Sequence, residues 1–324
     1  MPHQHLDVFH GLPVCELAED DDDPPAPLLA DSGRPCDLPA DQVAWRVGGA
    51  PYEEEGDAFG EALERLLRHV DPALVKALVV GWWGPGWEGT RSDVVVSALV
   101  AAADRLTALE AVFVGDIVSE ESEISWIEHG DLTPLLTAYP GLRRLEVRGG
   151  SGLRLDPVEH HALTALRFES GGLPSGVVRG VGASTLPALR HLEMWLGVSH
   201  YSGDSGPGDW AGVLSGAGLP ALRHLGLQNS ERQDEVAAAV ATAPVVARLE
   251  SLSLSMGTLS DAGAEALLSG QPLTHLRELD LGPHYVSEAM VERLRAALPG
   301  VRVLGEPEPE NRYHPGYRYV QISE

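Results

Sequence analysis

Residues 222–243 read LRHLGLQNSERQDEVAAAVATA. The first six residues place leucine at the first, fourth and sixth positions, and the alternation from Leu225 to Leu227 is typical of a strand with one buried face. The alanine-rich segment that follows favours a helix. Ser230 is followed three residues later by Gln233, which is the spacing of a helix-capping box. The stretch therefore predicts a strand followed by a helix.

The same hexad, Leu-x-x-Leu-x-Leu with other apolar residues allowed at the leucine positions, recurs along the chain. The spacing between copies averages about 28 residues, long enough for a strand and a helix in each repeat. Copies begin at Val75, Leu109, Leu142, Leu163, Leu189, Leu222, Leu249 and Leu276, with a degenerate last copy at Val301.

The segments between hexads predict further helices. One begins at Asp93, one spans 259–270 and one spans 286–300, where apolar residues recur every four positions. The step from Leu142 to Leu163 is too short for a full helix, so a loop or a 3₁₀ turn is expected there.

These hexads resemble those of leucine-rich-repeat proteins, and the repeat length resembles the ribonuclease-inhibitor-like subtype, as in cytosolic leucine-rich-repeat proteins of GC-rich bacteria. The resemblance covers about residues 70–305. It implies an α/β leucine-rich-repeat solenoid, with a curved parallel sheet on the concave side and helices and loops on the convex side. The chain departs from the family eight residues after each first leucine, where residues such as Gly150 and Gly197 replace the usual Asn or Cys. A less regular solenoid is expected.

A stacked core needs caps at both ends. Residues 1–70 are predicted to form the first, with a strand pair, an acidic loop at 20–23 and a helix from Gly56. Residues 71–305 are the solenoid. Residues 306–324 are a tail, in which 317–322 is expected to form a strand over the last repeat.

Charge and composition exclude several function classes. The net charge of −25 repels phosphate groups, which argues against nucleic-acid and membrane partners. No apolar run is long enough to span a membrane, and the first residues do not resemble a secretory signal. Cys15 and Cys36 are too few for a disulfide scaffold and are interpreted as reduced thiols. Together these features predict a cytoplasmic location.

The third and fifth hexad positions, and the residue after the hexad, are expected to line the concave face. Their charges alternate in sign, as Glu146–Arg167–Glu193 in one row and Arg148–Glu169 in the next. Two compatible interpretations follow: a ladder of lateral ion pairs, or a recognition patch anchored by Trp195. The predicted partner-binding residues are Arg144, Glu146, Arg148, Arg167, Glu169, His191, Glu193, Trp195, His224 and Gln228.

A second candidate patch lies in the sequence GWWGPGWEG at residues 81–89. Trp83 and Trp87 there are expected either to close the edge of the core or to form an exposed apolar contact site.

The sequence lacks the common metalloprotease, phosphate-loop, dinucleotide and serine-nucleophile motifs. We therefore expect a non-enzymatic scaffold that binds another protein or peptide, with no catalytic residue, cofactor or metal. Two alternatives remain: an accessory or substrate-delivery subunit of an enzyme, or a metal-dependent enzyme. Only clustered histidines suggest a metal-dependent enzyme. They are His191 and His224 beside Glu193, or His3, His5 and His10 near Cys15.

Overall fold

The computed structural model describes residues 4–18, 25–49, 58–308 and 316–324. Within these ranges the chain is an α/β protein in which thirteen strands, most of them parallel, alternate with eight α-helices. It divides into two compact units, Met1–Arg154 and Leu155–Glu324. The predicted acidic loop at 20–23, His3 and Gly56 lie outside the described residues.

The first unit contains a sheet in which β2, β4, β5, β6 and β7 are adjacent and parallel, while β1 and β3 pair with β2 in the antiparallel sense. Its strands are β1 (Val8–Phe9), β2 (Leu12–Leu17), β3 (Pro27–Leu29), β4 (Ala44–Val47), β5 (Ala77–Val80), β6 (Ala111–Val114) and β7 (Arg144–Arg148). Its helices are α1 (Ala58–His69), α2 (Asp93–Ala101) and α3 (Thr133–Ala138).

The second unit alternates strands and helices more regularly, and each strand is parallel to the one before it. Its strands are β8 (Ala165–Glu169), β9 (His191–Gly197), β10 (His224–Ser230), β11 (Ser251–Ser253), β12 (Glu278–Asp280) and β13 (Arg302–Leu304). Its helices are α4 (Ser175–Ala183), α5 (Pro207–Ser215), α6 (Gln233–Val240), α7 (Asp261–Ser269) and α8 (Glu288–Ala297).

The strand register follows the hexads. In the first unit the third hexad positions pair laterally as Ala77 with Ala111 and Ala111 with Arg144. The same position pairs in the second unit from Ala165 through to Glu278. The last strand departs from the expected register, because Arg302 pairs with Glu278. The final repeat therefore begins at residue 300, one residue earlier than predicted. This copy lacks most of the leucines that mark the start of the other hexads.

Local sequence signals account for several helix ends. Gln233 accepts a hydrogen bond from the backbone N–H of Ser230 at 3.1 Å, which is one half of the predicted capping box, but α6 begins at Gln233 itself with Arg232 at its N-cap. The Ser260 and Ser287 side chains cap α7 and α8. Residues 149–164 contain no helix, as the short step between hexads predicted.

A second hydrophobic core lies on the opposite face of the first unit's sheet from the hexad leucines. Residues 5–12, here called the N-terminal segment, fold across this face. Phe9 packs edge-on against Phe113 with ring centroids 5.9 Å apart. The small residues of the third hexad position make room for this segment, so the apolar part of the face is covered. The core contains Phe9, Val14, Ala44, Ala77, Val79, Ala111 and Phe113.

The last nine residues pack against the second unit but form no strand, so the predicted strand at 317–322 is wrong. Asn229, near the end of β10, binds this tail through its side chain. Its side-chain amide donates to the Ile322 carbonyl at 2.6 Å, and its Oδ1 accepts from the Ile322 N–H at 3.0 Å. Asn229 has φ +56°, a left-handed conformation that asparagine tolerates better than most residues.

Cys15 and Cys36 form a disulfide, with their Cα atoms 6.7 Å apart. The prediction of reduced thiols is therefore wrong. Antiparallel pairing of β2 with β3 sets Cys15 opposite Leu29, and the N–H of Cys36 donates to the Pro27 carbonyl. This local fold joins cysteines that stand 21 residues apart. The prediction of a cytoplasmic location therefore loses the support that reduced cysteines would have given it.

None of the helices in the described ranges combines the length and apolar character needed to cross a membrane.

Replacing Asn229 with Gly is expected to release the C-terminal tail. Glycine keeps the left-handed backbone accessible, so the change isolates the loss of the amide's hydrogen bonds, two with Ile322 and one to the Ser170 carbonyl at 3.3 Å, each worth about 0.5–1.5 kcal/mol. Hydrogen exchange should show faster exchange at the Ile322 amide. Asn229→Asp places a buried carboxylate oxygen against the Ile322 and Ser170 carbonyls, which are both acceptors, so the Ile322 amide should exchange at least as fast as in Asn229→Gly. Unchanged protection in Asn229→Gly would contradict this role.

Candidate functional site

Strands β8, β9 and β10 bring four ionisable side chains together on the face opposite the hexad leucines. In β9, Leu192 and Met194 are fully buried, while His191 and Glu193 alternate with them and keep partial exposure. Neighbouring strands contribute a residue each. We call the set Arg167, His191, Glu193 and His224 the β8–β10 cluster.

The two histidines stack because they are direct partners in the register of β9 and β10. Their ring centroids are 4.2 Å apart and the ring planes differ by 9°. Oε1 of Glu193 lies 3.0 Å from Nε2 of His191 and 3.1 Å from Nε2 of His224. One carboxylate oxygen therefore faces both imidazole rings.

Gly226 makes this arrangement possible. It pairs with Glu193 across β9 and β10 and has no side chain to occupy the space between the carboxylate and His224. A Cβ atom at residue 226 would lie 3.0 Å from Cγ of Glu193 and 3.3 Å from Oε1 of Gln228. Both side chains would have to shift to admit even a methyl group.

Arg167 holds the other side of the carboxylate. Its Nε lies 2.9 Å from Oε2 of Glu193, and its Nη2 lies 3.1 Å from Oε1 of Glu169. The guanidinium also stacks over the Trp195 ring at 5.4 Å. Burial raises the pKa of the Glu193 carboxyl, but hydrogen bonds from the two histidines and the charge of Arg167 outweigh burial and hold that pKa well below its usual range.

Serines of the next strand orient the edge of the cluster. Nδ1 of His224 lies 2.7 Å from Oγ of Ser251, and the amide nitrogen of Gln228 donates to Oγ of Ser253 at 2.7 Å. Nε1 of Trp195 and Oε1 of Gln228 are buried without a hydrogen-bond partner in the described structure. Such atoms are uncommon in a folded core, and here they border the cluster.

The predicted lateral ion pair between Arg167 and Glu193 is confirmed. Two further ion pairs were not part of this prediction. Arg144 contacts Glu146 at 2.5 Å, and Arg148 contacts Asp116 at 3.4 Å.

Exposure differs from the prediction at half of the candidate residues. Trp195, expected as an exposed aromatic anchor, is only 8% exposed, because Arg167 covers its ring. The interstrand spacing of about 4.8 Å lets long side chains fold over their neighbours. The remaining candidates that the structure buries are Glu146, Arg148, Glu169 and Gln228.

Asp116 organises a buried polar cluster in the first unit that the sequence did not reveal. Its carboxylate lies 3.4 Å from nitrogen atoms of both Arg46 and Arg148 and accepts from the N–H of Leu6. His5 lies against it at 3.5 Å. Burial lowers the pKa of His5, but the hydrogen bonds to Asp116 and Glu121 have the larger combined effect. The net result is a pKa raised from 6.5 to about 9. The advance signal was an aspartate two residues after an apolar strand.

The alternative metal site near Cys15 is not supported. Cys15 is in a disulfide, so no thiolate is available, and His5 is engaged with Asp116. His10 contacts Glu110 at 3.8 Å.

The predicted second patch is also changed. Trp83 is buried and its ring lies 5.4 Å from that of His129, so it closes the core rather than offering a contact surface. Trp87 lies in the 3₁₀ helix Gly86–Glu88, and its side chain is outside the described part of the structure.

No protein-family model matches the chain, and no curated protein matches it. Among solved structures, the chain is similar to the crystal structure of a protein from Bacteroides fragilis, with a TM-score of 0.74 and 27% sequence identity. The alignment covers 87% of this chain and 78% of the Bacteroides chain. This similarity supports the α/β architecture.

Stability is expected to fall in mild acid because of His129. Its Nε2 donates to the Arg148 carbonyl at 2.8 Å, and its Nδ1 accepts from Ser92 Oγ at 3.2 Å. Complete burial lowers its pKa from 6.5 to about 4. His129 is therefore protonated below pH 6.5 in the unfolded chain, but only below about pH 4 in the folded chain. The stabilisation is full above pH 6.5 and is lost as the pH falls towards 4.

Denaturant unfolding at pH 7.5 and pH 4.5 measures this effect. His129→Gln keeps a donor for the Arg148 carbonyl but does not titrate, so its loss of unfolding free energy between the two pH values should be about 2–3 kcal/mol smaller than that of the wild type. His161→Gln, at an exposed histidine, is the control. Equal losses in wild type and His129→Gln would show the prediction to be wrong.

Proposed function

We propose that the chain is a leucine-rich-repeat protein that binds another protein or peptide through the β8–β10 cluster, without catalysis. The hexads, their lateral register and the alternation of parallel strands and helices support the family assignment. Nucleic acids and membranes are not proposed as partners, because the net charge of −25 opposes both.

The observation that carries the proposal is the fixed, partly exposed charge arrangement of the cluster. Arg167, His191 and His224 each contact Glu193 within 3.1 Å, and all four side chains remain accessible to some degree. Polar groups that are already held in place lose little side-chain entropy when a partner binds. Such groups contribute mainly to specificity and to the rate of association.

The corresponding face of the first unit is a poorer candidate. The N-terminal segment covers its apolar part, and Arg148 is buried against Asp116. Arg144 lies over the Phe9 ring at 5.6 Å. A partner would have to displace packed side chains there, whereas the β8–β10 cluster presents its charges directly.

A role as an accessory or substrate-delivery subunit is a special case of this function. It differs only in the partner, which would be an enzyme or an enzyme's protein substrate. The identity of the captured partner separates the two cases.

The test is affinity capture with the purified chain, followed by mass spectrometry and titration of the partner found. The double variant Arg167→Ala/His191→Ala should bind that partner at least 10-fold more weakly, a loss of about 1.4 kcal/mol or more. Both side chains are partly exposed, so truncating them should leave the fold intact.

The matched control is the double variant Arg277→Ala/His161→Ala. It removes one arginine and one histidine that are also paired with glutamates in the second unit, at 3.0 Å each, but lie outside the cluster. It should bind like the wild type. If the cluster variant retains full affinity, the partner binds elsewhere and the proposed surface is wrong.

A further inference from the structure

We propose that His191, Glu193 and His224 form a binding site for a divalent transition-metal ion, for which Zn²⁺ is the appropriate probe. This goes beyond partner binding and does not depend on it. The three residues each offer one ligand atom, and these atoms all lie within 4.8 Å of one another.

The distances fit a tetrahedral ion. Zn²⁺ bonds of about 2.0–2.1 Å to nitrogen and oxygen require ligand atoms about 3.3 Å apart. The two nitrogen-to-oxygen separations are 3.0 and 3.1 Å. The two histidine nitrogens lie within 4.8 Å of each other. Their rings are stacked, so one ring has to turn before both nitrogens point at the same ion. The His191 side chain is 42% exposed and can make that turn.

The neighbouring groups leave the correct atoms available. Nδ1 of His224 is engaged with Ser251 Oγ, and its Nε2 faces Oε1 of Glu193 at 3.1 Å. With Nε2 bound to a metal ion, Nδ1 carries the hydrogen and donates it to the serine. Arg167 holds Oε2 of Glu193 and so turns Oε1 towards the histidines. Outer hydrogen bonds of this kind orient ligands in known metal sites.

The donor set and the local charge favour a zinc-like ion. Two imidazoles and one carboxylate suit Zn²⁺ and its neighbours in the transition series, whereas Mg²⁺ and Ca²⁺ prefer oxygen ligands. The positive charge of Arg167 opposes a cation, but this guanidinium is shared between Glu193 and Glu169. Three protein ligands leave a fourth position for water or for another donor.

Gly226 and Gln228 supply a further reason to expect a ligand. The buried Gln228 has an unpartnered oxygen beside the space that Gly226 leaves open. A metal-bound water is a suitable donor for such an oxygen. The absence of a side chain at 226 thus keeps room next to the carboxylate.

Isothermal titration of the full-length chain, free of any affinity tag, with Zn²⁺ tests the proposal. One equivalent should bind, and the ion should raise the thermal unfolding midpoint. His191→Ala, His224→Ala and Glu193→Gln should each weaken binding at least 10-fold. Ser251→Ala removes only the orienting hydroxyl and should weaken binding about 10-fold, the lower end of what outer-shell changes cost.

His161→Ala is the matched control, because His161 and Glu159 form an exposed His–Glu pair at 3.0 Å in the same unit. It should bind Zn²⁺ like the wild type. Circular dichroism establishes that each variant is folded. Co²⁺ gives a second readout on the unaltered chain, with the intense visible absorption of a four-coordinate ion. Absence of Zn²⁺ binding by the wild type, or equal affinity in wild type and folded His191→Ala, overturns the proposal.

Discussion

Lateral hydrogen bonding between parallel strands is the constraint on which the rest of this structure depends. Within each unit it places residues of the same hexad position side by side, about 4.8 Å apart. A substitution at one position therefore alters the surroundings of the corresponding residue in the next repeat. The stacked histidines show this directly, since His191 and His224 meet only because both occupy the third position of their repeats.

The same constraint gives the two units different surfaces. In strands β4, β5 and β6 of the first unit the third position is filled by Ala44, Ala77 and Ala111, which together form a shallow apolar floor. The N-terminal segment packs on that floor. In the second unit the third position carries the two histidines, and the fifth carries Arg167 and Glu193. One repeated backbone thus supports a closed hydrophobic core in one unit and a partly exposed ionic cluster in the other.

Periodic features were predictable from the sequence, and irregular ones were not. The hexads predicted the strands, their register and the neighbour relation of Arg167 with Glu193, because each follows from the repeat itself. The burial of Trp195 depends on an arginine that folds back across its ring, which spacing does not encode. The N-terminal segment, the Cys15–Cys36 disulfide and the contacts of Asn229 with the tail all join non-repeating parts of the chain. Only the folded chain brings these partners together.

The N-terminal segment also imposes an order on biosynthesis. His5 contacts Asp116, which lies 111 residues later in the chain. At a synthesis rate of about 5–20 residues per second, the partner emerges on the order of ten seconds after the segment itself. During that interval the sheet is incomplete, because β6, which carries the Phe113 ring that packs against Phe9, has not yet been made. The N-terminal segment is therefore synthesised before the strands that it covers, yet is among the last parts of the first unit to reach its final place.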